Sequence, residues 1–143
     1  MKAKVLIAGS DSQLCDVYQK FLRECGFEAD IAHDALDCIR KLQQRTPAAV
    51  VLDRQILWGG SDGVLCWLRE ERPLSQIPVI VTATGDKPNG GDQDEKPPVI
   101  KVLAKQSDLA GLLESVAAAV TASRQNRPLE TTHKVGKKKR CIY

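Results

Sequence analysis

Ala48 to Leu52 is a charge-free run of small and β-branched residues that stops at Asp53, and a glycine-rich turn then carries the chain to Gly63. With helical spacing on either side, such a run reads as a central strand of a parallel sheet covered on both faces, since a half-wet strand would alternate. Asp53 then stands at the strand's carboxyl end. Ligands and chemistry collect at that edge of open α/β sheets. The carboxylate is therefore either a functional group or a loop cap bonded to nearby amides.

The rest of the chain alternates around this strand. Lys4–Ala8 reads as a first strand, and Gly9-Ser10-Asp11-Ser12 follows, where Ser12 can cap a helix carrying Leu14, Val17, Phe21 and Leu22 and stopped by Gly26. Phe27–Ala32 is a weaker strand. Asp34–Gln44 is a second helix on Ala35, Cys38, Ile39 and Leu42, with Pro47 beyond its end, and a third helix from Gly63 to about Glu71 buries Val64, Leu65 and Leu68. Val79–Ala83 and Val99–Ala104 are the last strands. Ser107-Asp108 opens a final helix on Leu109, Leu112, Leu113, Val116 and Val120. This order predicts an α/β fold, a doubly wound five-stranded parallel sheet with right-handed crossovers. Between the last two strands, residues 84–98 read TGDKPNGGDQDEKPP. Nothing there gives a helix an apolar stripe, and its prolines and glycines oppose one, so a loop is expected in place of the fourth helix.

At 143 residues and 43% apolar content the chain suits one core, and its 4% aromatic content makes that core aliphatic. No apolar run approaches the roughly 18 residues that span a membrane, and Met1-Lys2-Ala3-Lys4 leads into a strand rather than a signal peptide, so a cytoplasmic protein is expected. Cys15, Cys25, Cys38, Cys66 and Cys141 have no CxxC spacing, and four of them read as small core residues. Residues 121–143 hold seven cations against Glu130, leaving a mildly acidic body. The division expected is a body over 1–122 and a basic, disordered tail over 123–143. The cluster Lys137, Lys138, Lys139 and Arg140 would attract nucleic acid or an anionic membrane, unless the tail is only a solvated end.

Enzymatic signals are sparse. His33 and His133 have no Ser or Cys partner context, and no glycine-rich phosphate loop follows the first strand. Trp58 could stack on a ligand, whereas Trp67 falls at helical spacing and reads as a packing residue.

Asp53 ending the third strand, Asp62-Gly63 opening the third helix, Ile77-Pro78-Val79-Ile80 with Thr82 ending the fourth strand, and Lys105 after the fifth together resemble the receiver domain of bacterial response regulators, the CheY-like family. The resemblance spans about residues 3–120. It implies sheet order 2-1-3-4-5 and a stand-alone domain of two-component phosphorelay signalling, partnered by a histidine kinase or a downstream effector. It also implies Asp53 as phosphoacceptor, Thr82 as switch hydroxyl, Lys105 as the cation that contacts the phosphoryl group, and Mg²⁺ bridging phosphate and carboxylates.

Receivers supply the Mg²⁺ ligands from an acidic pair after the first strand, and here Gly9 and Ser10 stand in its place. Asp11, one residue on, is with Asp53 the weak remaining metal set. Other departures point the same way. Trp58-Gly59-Gly60 lengthens the segment after Asp53, the strand ending at Thr82 is short so that Thr84 competes for the switch role, Val102 replaces an aromatic, and Gln106 replaces a proline. The reading these favour is a pseudo-receiver, not an enzyme, that needs no cofactor and acts by protein–protein interaction, with Asp53 and Lys105 as a structural ion pair. Its alternatives are a Mg²⁺-dependent phosphoacceptor that uses Asp11, and an adaptor tethered to nucleic acid or membrane by the tail.

Overall fold

Each apolar run named above forms a strand, and each amphipathic run a helix that covers the sheet. In the computed structural model, which describes residues 2–56, 60–71, 76–83, 97–104 and 109–132, the chain runs β1 (Lys4–Ala8), α1 (Ser12–Glu24), β2 (Glu28–Ala32), α2 (Ala35–Gln44), β3 (Ala49–Asp53), α3 (Gly60–Glu70), β4 (Val79–Ala83), β5 (Val99–Ala104) and α4 (Leu109–Thr132). All pairings are parallel, in the order β2-β1-β3-β4-β5. The order reverses between β1 and β3, and in open α/β sheets the carboxyl ends at such a switch point are where ligands bind.

Parity along the strands divides the core. Leu6, Ala8, Val50, Leu52, Val79 and Val81 face α2 and α3, while Val5, Ile7, Ala49, Val51 and Ile80 face α1 and α4. Leu22, Leu52, Leu65 and Leu68 are fully buried. Each contributes about 1.5–3 kcal/mol by leaving water, so aliphatic packing holds the sheet and a single polar residue at its edge is a small term beside it.

Three local readings are corrected. Asp11, not Ser12, caps α1 by accepting the Leu14 N–H at 3.2 Å, because its extended backbone aims the carboxylate at the open helix end. The inner line of α1 is Cys15, Tyr18 and Leu22, and Val17 is 49% exposed. Helix α3 begins at Gly60 rather than Gly63, its first residue held at φ +66° with the N–H on the Ile56 carbonyl.

The end of α1 is as expected. Gly26 sits at φ +98°, its N–H on the Arg23 carbonyl and that of Phe27 on Leu22, a Schellman closure that only glycine enters without strain. Among the cysteines, Cys15 and Cys38 are buried, but Cys25 and Cys66 are exposed, and no disulfide joins these four. Cys66 lies on α3 between the buried Leu65 and Leu68, on the outer side of the helix. Helix α4 continues to Thr132, past the expected edge of the body at residue 122, and no helix among the described residues is long and apolar enough to cross a membrane. Residues 84–96, where a loop was expected, and the cationic cluster Lys137–Arg140 lie outside the described residues.

Candidate functional site

The row of residues that continues the α1/α4 face to the carboxyl edge of the sheet is Gly9, Asp53 and Thr82. Ala8 pairs with Leu52, so the next step along the ladder sets Gly9 opposite Asp53, and Asp53 is itself the ladder partner of Thr82. Directly opposed residues of a parallel pair share a face. All three are buried, Asp53 to 7% exposure and Thr82 to 2%.

The loop after β3 is tied down through its backbone N–H groups. The Gln55 N–H bonds Asp53 Oδ1 at 3.0 Å, the Ile56 N–H bonds the Asp53 carbonyl at 3.2 Å, and the Arg54 N–H reaches the Thr82 carbonyl at 2.8 Å. Asp53 thus does cap its own loop, the plainer of its two expected roles. A carboxylate satisfied in this way can remain in a buried place at tolerable cost.

Two residues of α1 complete the walls. Cys15 reaches the Gly9 carbonyl with its thiol at 3.7 Å, and a Cβ placed on Gly9 would lie 3.2 Å from that sulfur, 3.5 Å from Asp53 Cβ and 3.7 Å from Asp53 Oδ2. One turn further, Tyr18 is buried, and its phenol is pushed above its ordinary value by burial first and then by Cys15, Asp53 and Asp11. Its hydroxyl therefore feels the Asp53 charge. Neither residue was singled out for the site from sequence. The signal was present in the i, i+3, i+7 line of Cys15, Tyr18 and Leu22, one residue away from the more hydrophobic line of Leu14, Val17 and Phe21.

Of the sequence-derived candidates, the fold brings Gly9, Asp53 and Thr82 together. Ser10 donates a long hydrogen bond to the His33 carbonyl at 3.4 Å, and Asp11 is exposed with its carboxylate on the Leu14 N–H. Lys105, Thr84, Trp58 and Gln106 lie outside the described residues.

The donors do not suit Mg²⁺. That ion demands near-octahedral oxygen at close range, and beside the Asp53 carboxylate Gly9 supplies no side-chain oxygen while Asp11 is committed to the helix end. Among the described residues no three His, Cys, Asp or Glu side chains cluster as ligands.

No family model matches the chain. Solved structures do share its fold. The signal receiver domain of a Vibrio parahaemolyticus protein superposes with TM-score 0.80 at 16% identity, over 91% of this chain and 98% of that one. A CheY-like response regulator receiver domain protein from Methanospirillum hungatei JF-1 gives 0.79 at 16% identity, over 88% and 99% of the two chains. For the receiver domain of the Francisella response regulator 1452 the values are 0.77 and 19%, over 85% and 99%. At such identities the likeness is one of fold, and the chain has the CheY-like receiver fold.

Proposed function

We propose that the protein is a pseudo-receiver: a two-component-type signalling domain that acts by binding other proteins, without turnover and without depending on a phosphoryl group at Asp53. The observation that carries this reading is the place of Gly9. A receiver's first-strand acid there would face the aspartate across the ladder, and here the backbone faces it bare, with the Cys15 sulfur in the adjoining space. Asp53 is the residue a phosphodonor would meet and Thr82 the hydroxyl beside it, so the pieces for acyl phosphate formation are incomplete rather than absent. Lys105 belongs to this reading as the partner charge of Asp53, in a cytoplasmic protein whose partners are a kinase or an effector.

The test is to incubate the full chain with acetyl phosphate and Mg²⁺, and separately with beryllofluoride and Mg²⁺, then to measure intact mass and amide shifts. No mass gain and no shift around Asp53 are expected. A phosphoryl adduct on Asp53 would establish the phosphoacceptor instead. A pull-down with wild type and Asp53→Ala should return the same partners.

A further inference from the structure

The thiol of Cys15 lies against the point from which any side chain on residue 9 would start. Gly9 is buried, and the first atom of any side chain there would be 3.2 Å from Cys15 Sγ, closer than carbon and sulfur pack at ease. Cys15 is itself 4% exposed, set on the inner line of α1 with its S–H toward the Gly9 carbonyl. Tyr18 and Leu22 follow it on the same line of the helix, and all three are buried in one core cluster. Asp53 Cβ would be 3.5 Å from the same point.

We infer that Cys15 plugs the cation position beside Asp53, so that putting the acidic pair back at residues 9 and 10 does not restore a divalent-cation site unless Cys15 is also cut back. This rests on the pseudo-receiver reading and extends it: the missing acids and the thiol are one packing solution, in which Cys15 fills space that the absent side chain of Gly9 leaves. Without Cys15 the space beside Asp53 would admit a carboxylate. With it, an aspartate at residue 9 is driven toward the sulfur and toward the Asp53 carboxylate.

The inference is tested with the full chain and with Gly9→Asp/Ser10→Asp, Cys15→Ala, and the triple combination, titrated with Mn²⁺ and followed by paramagnetic broadening of amide signals, with Mg²⁺ as competitor. The triple variant should bind Mn²⁺ at least about tenfold more tightly than the double, with broadening centred on residues 9–11 and 53. Equal affinity in the double and the triple would overturn the plug and leave the pseudo-receiver reading standing. Tight Mn²⁺ binding by the wild type would overturn that reading itself. Failure of the triple to bind would also count against the plug.

A milder pair of variants guards against unfolded proteins. Gly9→Ala should lower the melting temperature in the wild-type background, and by clearly less when Cys15→Ala is present, since the close sulfur has gone. Additive shifts would contradict the inference.

Discussion

Asp53 and Thr82 are ladder partners across β3 and β4, both buried and both on the sheet face covered by α1 and α4. Their pairing decides what each can do. With Asp53 Oδ1 accepting the Gln55 N–H, the carboxylate contributes as a loop cap, and a buried acceptor lost without replacement costs about 1–3 kcal/mol. Asp53→Ala should therefore lower the unfolding free energy by about 1–2 kcal/mol in urea titration. Asp53→Asn keeps an oxygen for Gln55 and should lose less than half as much. Equal losses would mean that the charge, not the cap, matters.

Acid should weaken the β2–α2 corner. Asp37 is held below the usual carboxylate range: burial pushes it up, but hydrogen bonds from Arg40 and the His33 N–H, with the Lys41 charge, outweigh this. Asp30 is held down chiefly by its hydrogen bond from Lys4 at 2.9 Å, yet it is half exposed and counts for less. A depressed folded-state pKa gives stability that is present above the unfolded value near 4 and is lost as pH falls through the folded value. Urea midpoints measured between pH 7 and pH 2 should fall below about pH 4. Asp37→Asn should be less stable at pH 7 by about 1 kcal/mol and should show a shallower acid limb.

How legible was this in the sequence? The strands were, because Ala49–Asp53 and Val79–Ala83 are short, β-branched and bounded by turn residues, and a parallel sheet needs little more than that. Helix faces were less so. An apolar arc is wider than its inner line, so Leu14 and Phe21 are half-buried flanks, and the hydrophobicity of Val17 pulled the expected face outward from Cys15 and Tyr18. The caps competed locally: Asp11 and Ser12 are both good N-caps, and only the backbone angle at Asp11 decides between them. At the site, order along the chain revealed Asp53 and Thr82. That Gly9 lacks space as well as a carboxylate depends on α1 packing, a contact between elements that no local pattern records.

Thiol chemistry should sort the described cysteines by burial. Cys38 is fully buried, and loss of hydration pushes its thiol up to about 12, whereas Cys25 and Cys66 are exposed. The thiolate is the reactive form. Iodoacetamide at pH 8, followed by peptide mapping, should modify Cys25 and Cys66 in the native protein, while Cys15 and Cys38 should react only at the rate of unfolding. Native-state labelling of Cys15 at the rate of Cys66 would show that α1 opens readily over Asp53.

The β2 edge of the sheet should be closed to strand addition. The Glu28 N–H bonds the Ala3 carbonyl and the Gly9 N–H bonds Ala32, which in a parallel ladder turns the carbonyls of Ala29 and Ile31 outward. Outward carbonyls of an edge strand are templates for another chain. Here Gln19 and Arg23 of α1 both donate to the Ala29 carbonyl, at 2.9 and 3.0 Å, and Lys41 of α2 donates to Ile31. The Phe27 N–H beside them is taken by Leu22 and the His33 N–H by Asp37. Each side-chain bond contributes about 1 kcal/mol, but blocking a partner requires only that the acceptors stay occupied. Gln19→Ala/Arg23→Ala/Lys41→Ala should therefore remain folded by circular dichroism and lose about 1–3 kcal/mol of stability. It should also sediment as larger species than the wild type at the same concentration and salt. Unchanged sedimentation would mean that the flanking helices, rather than the three donors, protect this edge.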